Sequence, residues 1–169
     1  MTAAPTLSPV YIVAALPPWM LADGEYGDLA VGRTAEFGFA LEPDEVELRS
    51  ADAEVAQDSA LVPTTTVSGT ALVSSADAPA TVDAGEVKPI VVHEALRHGQ
   101  DVVARGRLVV EPYLWASNGV LWPLVPEGVR LWSVDRIRRV GATVSDLQAV
   151  PGPAEVDHDA LYLLGLSRP

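Results

Sequence analysis

Short apolar segments separated by turn residues run along this chain, and none of them keeps the spacing of an amphipathic helix. Roughly seven or eight such segments occur at intervals of about 10 to 20 residues, which is typical of an all-β sandwich or barrel. Strands alternating with longer helical patterns would indicate βαβ units, and that alternation is missing. The sequence therefore predicts an all-β fold, or a β-rich fold with one or two short helices, built as an antiparallel barrel or sandwich. A Greek-key barrel of the oligonucleotide/oligosaccharide-binding (OB) type is one candidate.

The most specific local signal is a predicted β-hairpin over residues 113–122. Asn118 and Gly119 separate two apolar stretches there, and this pair favours a two-residue type I′ turn because both central positions need a positive φ. With that turn Trp115 lies opposite Trp122, and such a cross-strand aromatic pair contributes about 0.2–1 kcal/mol. The pattern thus predicts two indoles side by side on one face of the sheet.

Alternating apolar residues and β-branched runs predict the other strands. These strands cover residues 10–16, 34–41, 45–49, 63–74, 90–97, 101–110, 129–137 and 161–166. Pro43 could instead open a short helix through Val55, and 90–97 could be a strand that runs into a short helix. Gly106 indicates a bulge or bend in its strand. Residues 75–86 show no apolar period and predict an exposed loop.

Length and composition limit the class of protein. A chain of 169 residues fits one domain, which we predict to span residues 1–169. The absence of cysteine excludes disulfides, thiolate metal sites and cysteine nucleophiles. The apolar run 10–16 has no basic residue before it and ends at two prolines, so it fits neither a secretory signal nor a membrane span. We therefore expect a cytoplasmic protein with no membrane partner, and its ten arginines against one lysine are typical of a GC-rich bacterial genome.

The charge is divided unevenly along the chain, which has a net charge of −12. Residues 20–94 carry 15 acidic and three basic side chains, whereas residues 95–139 carry four acidic and seven basic ones. A negative protein is poorly suited to neutralise phosphates, so this balance argues against a general nucleic-acid binder without excluding nucleic acid. It favours a basic protein partner.

Two surfaces are candidates for recognition. The first combines indoles with guanidinium groups that could hold phosphate or an acidic partner, since alternate residues of one strand share a side. Its residues are Trp115, Trp122, Arg130, Trp132, Arg136 and Arg138. The second is an acidic run suited to docking a basic protein. Its residues are Glu42, Asp44, Glu45 and Glu47. The alternative for both surfaces is structural, with charges solvated or ion-paired and tryptophans packed in the core.

Three histidines raise the question of a catalytic or metal site. His93 and His98 are five positions apart, which is about 140° on a helix and opposite faces on a strand, so their rings should not converge on one ion. His158 stands between Asp157 and Asp159, which leaves open a His/carboxylate site assembled by the fold. The chain has no nucleophile elbow, Walker loop or dinucleotide fingerprint. We predict no catalytic residue, no metal and no cofactor.

Three functions remain as hypotheses. The first is a non-enzymatic binding protein with an acidic surface, for example an immunity-type or inhibitor protein for a basic protein partner. The second is a β-barrel that binds a small ligand or an oligonucleotide through tryptophans and arginines of residues 113–139. The third is an enzyme with a fold-assembled His/carboxylate site. The sequence leaves the identity of the partner and the oligomeric state open.

Overall fold

The computed structural model describes residues 10–73, 78–112 and 128–169, which form a β-rich protein around a closed five-stranded barrel. Strands make up 50% of the structure and helix 6%, which confirms the predicted fold class. The strands are β1 (Tyr11–Leu16), β2 (Thr34–Phe37), β3 (Phe39–Glu47), β4 (Glu54–Gln57), β5 (Thr65–Leu72), β6 (Ala80–Asp83), β7 (Ile90–Val91), β8 (Asp101–Val110), β9 (Arg130–Val140), β10 (Val144–Leu147) and β11 (Leu161–Ser167). A short helix, α1 (Pro18–Ala22), follows β1, and a 3₁₀ turn (Pro153–Glu155) precedes β11.

The barrel consists of β3, β7, β6, β5 and β8 in that order, and β8 closes the ring because it pairs with both β5 and β3. Neighbouring strands in the ring are antiparallel except β3 and β7, which run parallel. The OB barrel also has five strands, and this likeness of architecture carries no function. Aliphatic side chains of all five strands join one buried cluster. They include Leu41, Val67, Ala71, Val82, Val91, Val102, Ala104 and Leu108.

Glycine lets the barrel strands approach each other closely at two points. A Cβ atom on Gly106 would overlap the backbone oxygen of Glu42, and one on Gly69 would overlap the backbone oxygen of Asp83. Gly106 also pairs with Pro43 beside a register shift in β3. The bulge therefore lies in the partner strand, whereas residues 101–106 of β8 pair with β5 without a register shift. A larger residue at either point would have to push two strands apart.

The remaining strands extend the sheet away from the barrel. β1 runs parallel to β8 at a single bridge, Ala15 to Val109, and β11 and then β9 follow in antiparallel order. The long strand β9 pairs with β2 near its start and with β10 near its end. Only Gly38 separates β2 from β3, so the path β3, β8, β1, β11, β9, β2 returns to its start. The aromatic side chains Phe37, Phe39, Trp132 and Tyr162, which are fully buried, come from strands of this path.

A glutamine side chain joins β4 to β1. The Gln57 amide accepts a hydrogen bond from the Val13 N–H at 2.7 Å and donates from Nε2 to the Val13 carbonyl, also at 2.7 Å. Nε2 donates in addition to Oγ1 of Thr65 at 2.9 Å. A primary amide offers both a donor and an acceptor, so it can stand in for a neighbouring strand. It satisfies two backbone groups that the sheet itself leaves unpaired.

The loop predicted over residues 75–86 is wrong at β6. Ala80, Thr81 and Val82 are buried there, with Ala80 and Val82 in the main core cluster. Small alternating residues can fill a narrow barrel without the large apolar side chains by which strands are usually recognised. The strand was predicted as a loop because its side chains are small, although they are buried.

Two other predicted elements have different limits in the structure, and a third lies outside the described residues. The separate strand over 45–49 and its helical alternative are both replaced by β3, which continues through Pro43 with Asp44 as an extra, bulged residue. A bulge is one of the few places where a strand tolerates proline, because proline has no N–H to pair. The strand expected over 90–97 ends at Val91 and gives way to turns. The hairpin predicted over 113–122 lies outside the described residues.

Candidate functional site

The basic surface predicted on β9 is divided between the two sides of the strand. Consecutive residues of β11 pair with Val134 and Arg136, so Asp135 is an extra residue at a β-bulge. A bulge shifts the alternation of side chains by one position. Trp132 and Val134 are buried, whereas Arg136 and Arg138 project on the side opposite to the next buried residue of the strand. The prediction that these residues share one face with Trp132 is therefore wrong.

Trp132 belongs to the core. Its side chain is 1% exposed, and the ring of Phe39 meets its indole edge-on at a centroid distance of 5.6 Å. The guanidinium carbon of Arg168 lies 5.4 Å from the indole centroid. A buried indole cannot stack on a base or another ligand, so the binding role predicted for Trp132 is corrected to a packing role. Trp115 and Trp122 lie outside the described residues, and their binding role stays a prediction.

The arginines predicted for anion binding already pair with carboxylates. Arg136 donates from Nε and Nη2 to the two oxygens of Asp146 at 2.9 and 2.6 Å, and Nε of Arg138 donates to the same carboxylate at 3.0 Å. Arg130 pairs with Glu86 at 2.9 Å. Surface pairs of this kind contribute about 0–1 kcal/mol each. Asp146 is thus shared by two guanidinium groups and offsets the charge of only one of them.

The acidic run on β3 is matched in part by arginines of β8. The strand register places Glu42 opposite Arg107 and Glu45 opposite Arg105. The resulting ion pairs have N to O distances of 2.5 Å for Glu42 and 3.4 Å for Glu45. Asp44, at the bulge, forms no ion pair among the described residues.

Glu47, the last residue of the run, pairs with an arginine two positions along the chain. Nε of Arg49 donates to its carboxylate at 2.6 Å, and this hydrogen bond lowers the pKa of Glu47. Glu47 is therefore ionised and matched by a cation at neutral pH. The run 42–47 consequently presents less net negative charge than its sequence indicates, and its role as a docking surface stays a prediction.

A different set of carboxylates lies beside an exposed tryptophan at the end of α1. We call Trp19, Asp23, Glu25 and Asp28 the Trp19 end. Trp19 is 47% exposed, and the Asp23 N–H donates to its carbonyl at 3.0 Å, which puts Asp23 one helical turn further on the same side. The three carboxylates are exposed and form no ion pair within residues 10–73, 78–112 and 128–169.

The turn that carries these carboxylates is anchored to the core. Tyr26 adopts a positive φ of 57°, a conformation uncommon for residues other than glycine. Its ring packs against Phe37 at a centroid distance of 5.3 Å, and this burial offsets the backbone strain. The Glu25 N–H also donates to the Met20 carbonyl at 2.9 Å. The turn that carries Glu25 and Asp28 is thus fixed to the core through its backbone and the Tyr26 ring.

His93 and His98 line the same cleft although they are five positions apart. The segment after β7 folds into two successive turns, closed by hydrogen bonds from Leu96 N–H to the His93 carbonyl and from Gln100 N–H to the Arg97 carbonyl, each at 3.2 Å. The turns bring both imidazoles and Arg97 to a cleft of about 840 Å³ between the β5–β6 and β7–β8 connections. The segment forms neither the regular helix nor the strand that the spacing argument assumed, and the expectation that the two rings do not converge on one ion stays a prediction.

His158 is not among the residues that line this cleft. The neighbouring Asp157 pairs with Arg139, whose hydrogen bond holds the pKa of Asp157 below its usual range. Asp157 also accepts a hydrogen bond from the Asp159 N–H at 3.0 Å. This carboxylate is therefore engaged in an ion pair at the end of β9, and a His/carboxylate site at His158 stays a prediction.

Sequence reasoning missed the two most distinctive groups of side chains. The acidic excess of residues 20–94 did not separate Asp23, Glu25 and Asp28, which form no ion pair within the described ranges, from the acids of β3 that do form one. The sequence around Arg97 does not indicate a binding role, because a lone arginine in a polar segment is uninformative until its neighbours in the fold are known.

Within the described ranges, no group of three or more His, Asp or Glu side chains is arranged to hold a metal ion. Helices in the same ranges fall short of the length and apolar character that a bilayer crossing requires. Comparison with known proteins finds no matching family model, no matching curated protein and no matching solved structure.

Proposed function

We propose that the protein is a non-enzymatic binding protein that recognises a basic protein partner through an acidic surface. The observation behind this proposal is which charged side chains of the protein form ion pairs and which do not. Among the described residues, eight arginines and Lys88 pair with carboxylates, whereas Arg33 and Arg97 do not. The carboxylates without an ion pair greatly outnumber these two cations. Between residues 20 and 60 they are Asp23, Glu25, Asp28, Glu36, Asp44, Asp52, Glu54 and Asp58.

The Trp19 end is the best candidate for the contact itself. Exposed tryptophans are frequent among the residues that dominate binding energy in interfaces, and the adjacent carboxylates favour lysine or arginine on the partner. Because Tyr26 anchors this turn, little conformational entropy is lost when it is bound. Glu42, Glu45 and Glu47 of β3 already have arginine partners, so they would have to exchange one ion pair for another and gain less.

An immunity-type or inhibitor protein is one concrete form of this function. The net charge of −12 would attract a basic partner from a distance and raise the rate of association, most strongly at low salt. At an ionic strength of about 0.15 M the Debye length is about 8 Å. Added salt should therefore slow association more than it speeds dissociation.

Two variants with the same change in charge test the proposal. One removes the carboxylates of the Trp19 end (D23N/E25Q/D28N), and the other removes the paired acids of β3 (E42Q/E45Q/E47Q). Each is used as bait for proteins of the native host, the recovered proteins are identified by mass spectrometry, and the purified partner is then titrated against all three baits at low and high salt. The first variant should weaken binding by about tenfold or more, since it removes charge contacts at the interface. The second should reduce mainly the association rate.

Three outcomes would contradict the proposal. The partner could have an acidic or neutral surface, its affinity could be independent of salt, or both triple variants could bind it as tightly as the unmodified protein. Substitution of Trp19 by alanine distinguishes a direct contact at the Trp19 end from long-range electrostatic attraction, because it leaves every charge in place. If Trp19→Ala leaves the affinity unchanged while both triple variants weaken it equally, the Trp19 end is not the contact.

A further inference from the structure

The cleft beside β7 is lined by described residues next to β5, β6 and β7. Val73 follows β5, Ala78 and Pro79 precede β6, and the two turns after β7 complete the lining. Leu96, which is buried, fixes these turns to the core. The Gly99 N–H donates to the Ala71 carbonyl at 2.8 Å, so the second turn is tied to β5. The cleft therefore lies on a hydrogen-bonded framework, and its volume of about 840 Å³ is within the range of small-molecule sites.

Each imidazole in the cleft accepts a backbone hydrogen bond through Nδ1. The Val73 N–H donates to Nδ1 of His98 at 3.2 Å, and the Ala95 N–H donates to Nδ1 of His93 at 3.3 Å. A neutral imidazole whose Nδ1 accepts a hydrogen bond carries its proton on Nε2. Each ring therefore has one N–H left to donate to a ligand.

Arg97 supplies the positive charge of the cleft. Its Nη1 donates to the backbone carbonyls of Glu94 and Leu96, which hold the guanidinium in place. It forms no ion pair with a carboxylate in the described part of the chain, a property shared only with Arg33 there. In a protein with an excess of carboxylates, an arginine fixed in a cleft without one is suited to bind an anion from solution, because its planar fork matches a carboxylate.

The rest of the lining is largely apolar and indicates that a ligand of this cleft has an apolar part. Val73, Val92 and Leu96 offer apolar surface, and Val92 is among the most exposed large apolar side chains of the described residues. Glu94 also lines the cleft, and with the net charge of −12 it disfavours ligands with several negative charges.

We propose that this cleft binds a small amphipathic molecule with a single carboxylate. Arg97 and the Nε2–H groups of His93 and His98 hold the carboxylate, and the apolar part of the molecule lies on Val73, Val92 and Leu96. The proposal uses no residue of the Trp19 end and does not depend on a basic protein partner.

Isothermal titration calorimetry with sodium octanoate tests this site. Octan-1-ol, which is uncharged, and octyl phosphate, which carries more negative charge, serve as comparison ligands. Octanoate should bind more tightly than either. Arg97→Gln should weaken octanoate binding by about tenfold or more, because a charge-assisted pair of hydrogen bonds is lost. Glu94→Gln should strengthen it, since a repulsive carboxylate is removed.

Arg33→Gln is the matched control, because it makes the same change in charge at the other arginine without an ion pair and lies outside the cleft lining. It should leave octanoate affinity within about twofold of the unmodified protein. Arg97→Lys keeps the charge without the planar fork and should give an intermediate affinity, and thermal denaturation of each variant verifies that it is folded. The proposal is overturned if octanoate shows no binding up to about 10 mM, if octanol or octyl phosphate binds more tightly, or if Arg33→Gln weakens binding as much as Arg97→Gln.

Discussion

Replacement of Gln57 by leucine should destabilise the fold strongly although the side chain is only half-buried. The Gln57 amide makes three hydrogen bonds, two of them to the backbone of Val13. Leucine has a similar size and can make none of them. A hydrogen bond contributes about 0.5–1.5 kcal/mol net, and a backbone group left unpaired costs about 1–3 kcal/mol. We therefore expect a loss of about 3 kcal/mol, and a fall in Tm of about 6–12 °C for a chain of this size.

Urea denaturation followed by tryptophan fluorescence measures this loss directly. Hydrogen exchange at the Val13 amide adds a local measurement, because this N–H loses its acceptor in Gln57→Leu and should exchange faster. Gln57→Glu tests the donor: the carboxylate can still accept from Val13 N–H but repels the Val13 carbonyl, so it should be at least as unstable as the leucine variant. Gln148→Leu is the control, since this exposed side chain makes no hydrogen bond within the described residues. If Gln57→Leu costs no more than Gln148→Leu, the amide does not act as a strand neighbour and the reasoning is refuted.

Two further predictions concern single polar groups. Thr81 is fully buried, and its hydroxyl has no hydrogen-bond partner in the described part of the structure. Thr81→Val should therefore stabilise the protein by about 1 kcal/mol, measured by urea denaturation. A loss of stability would show that the hydroxyl does have a hydrogen-bond partner. Asp157 has a lowered pKa because of Arg139, so the ionised carboxylate contributes stability above its unfolded pKa of about 3.9, and this contribution is lost as the pH falls through the lower folded value. Asp157→Asn should therefore reduce stability more at pH 7 than at pH 2, whereas an equal reduction at both would contradict the ion pair.

Local patterns predicted much of the fold. The alternating residues of β1, β5, β8, β9 and β11 were located within a few positions of their observed ends, because a strand with one buried face leaves a period of two in the sequence. Bulges defeated the same reasoning. Asp44 and Asp135 each add one residue to a strand, and neither has a local signature, because a bulge depends on the register that the partner strand imposes.

Charge composition was readable from the sequence, but the pairing of the charges was not. Glu42 and Arg107 are 65 positions apart and meet because β3 and β8 are neighbours in the barrel. The sequence could therefore show that residues 20–94 are acidic without showing which acids are left unpaired. His93 and His98 illustrate the same limit, since turns closed by Leu96 and Gln100 brought them together.

The sequence by itself determined that the chain forms strands, that it is strongly acidic and that it has no thiol chemistry, because each of these properties is local or additive along the chain. Only the tertiary structure decided that Trp132 is buried, that Arg136 and Arg138 share Asp146, and that Arg97 has no carboxylate partner within the described residues. Those properties depend on which residues become neighbours when the sheet closes. Closure is set by the pairing of distant strands, and no short stretch of sequence contains that information.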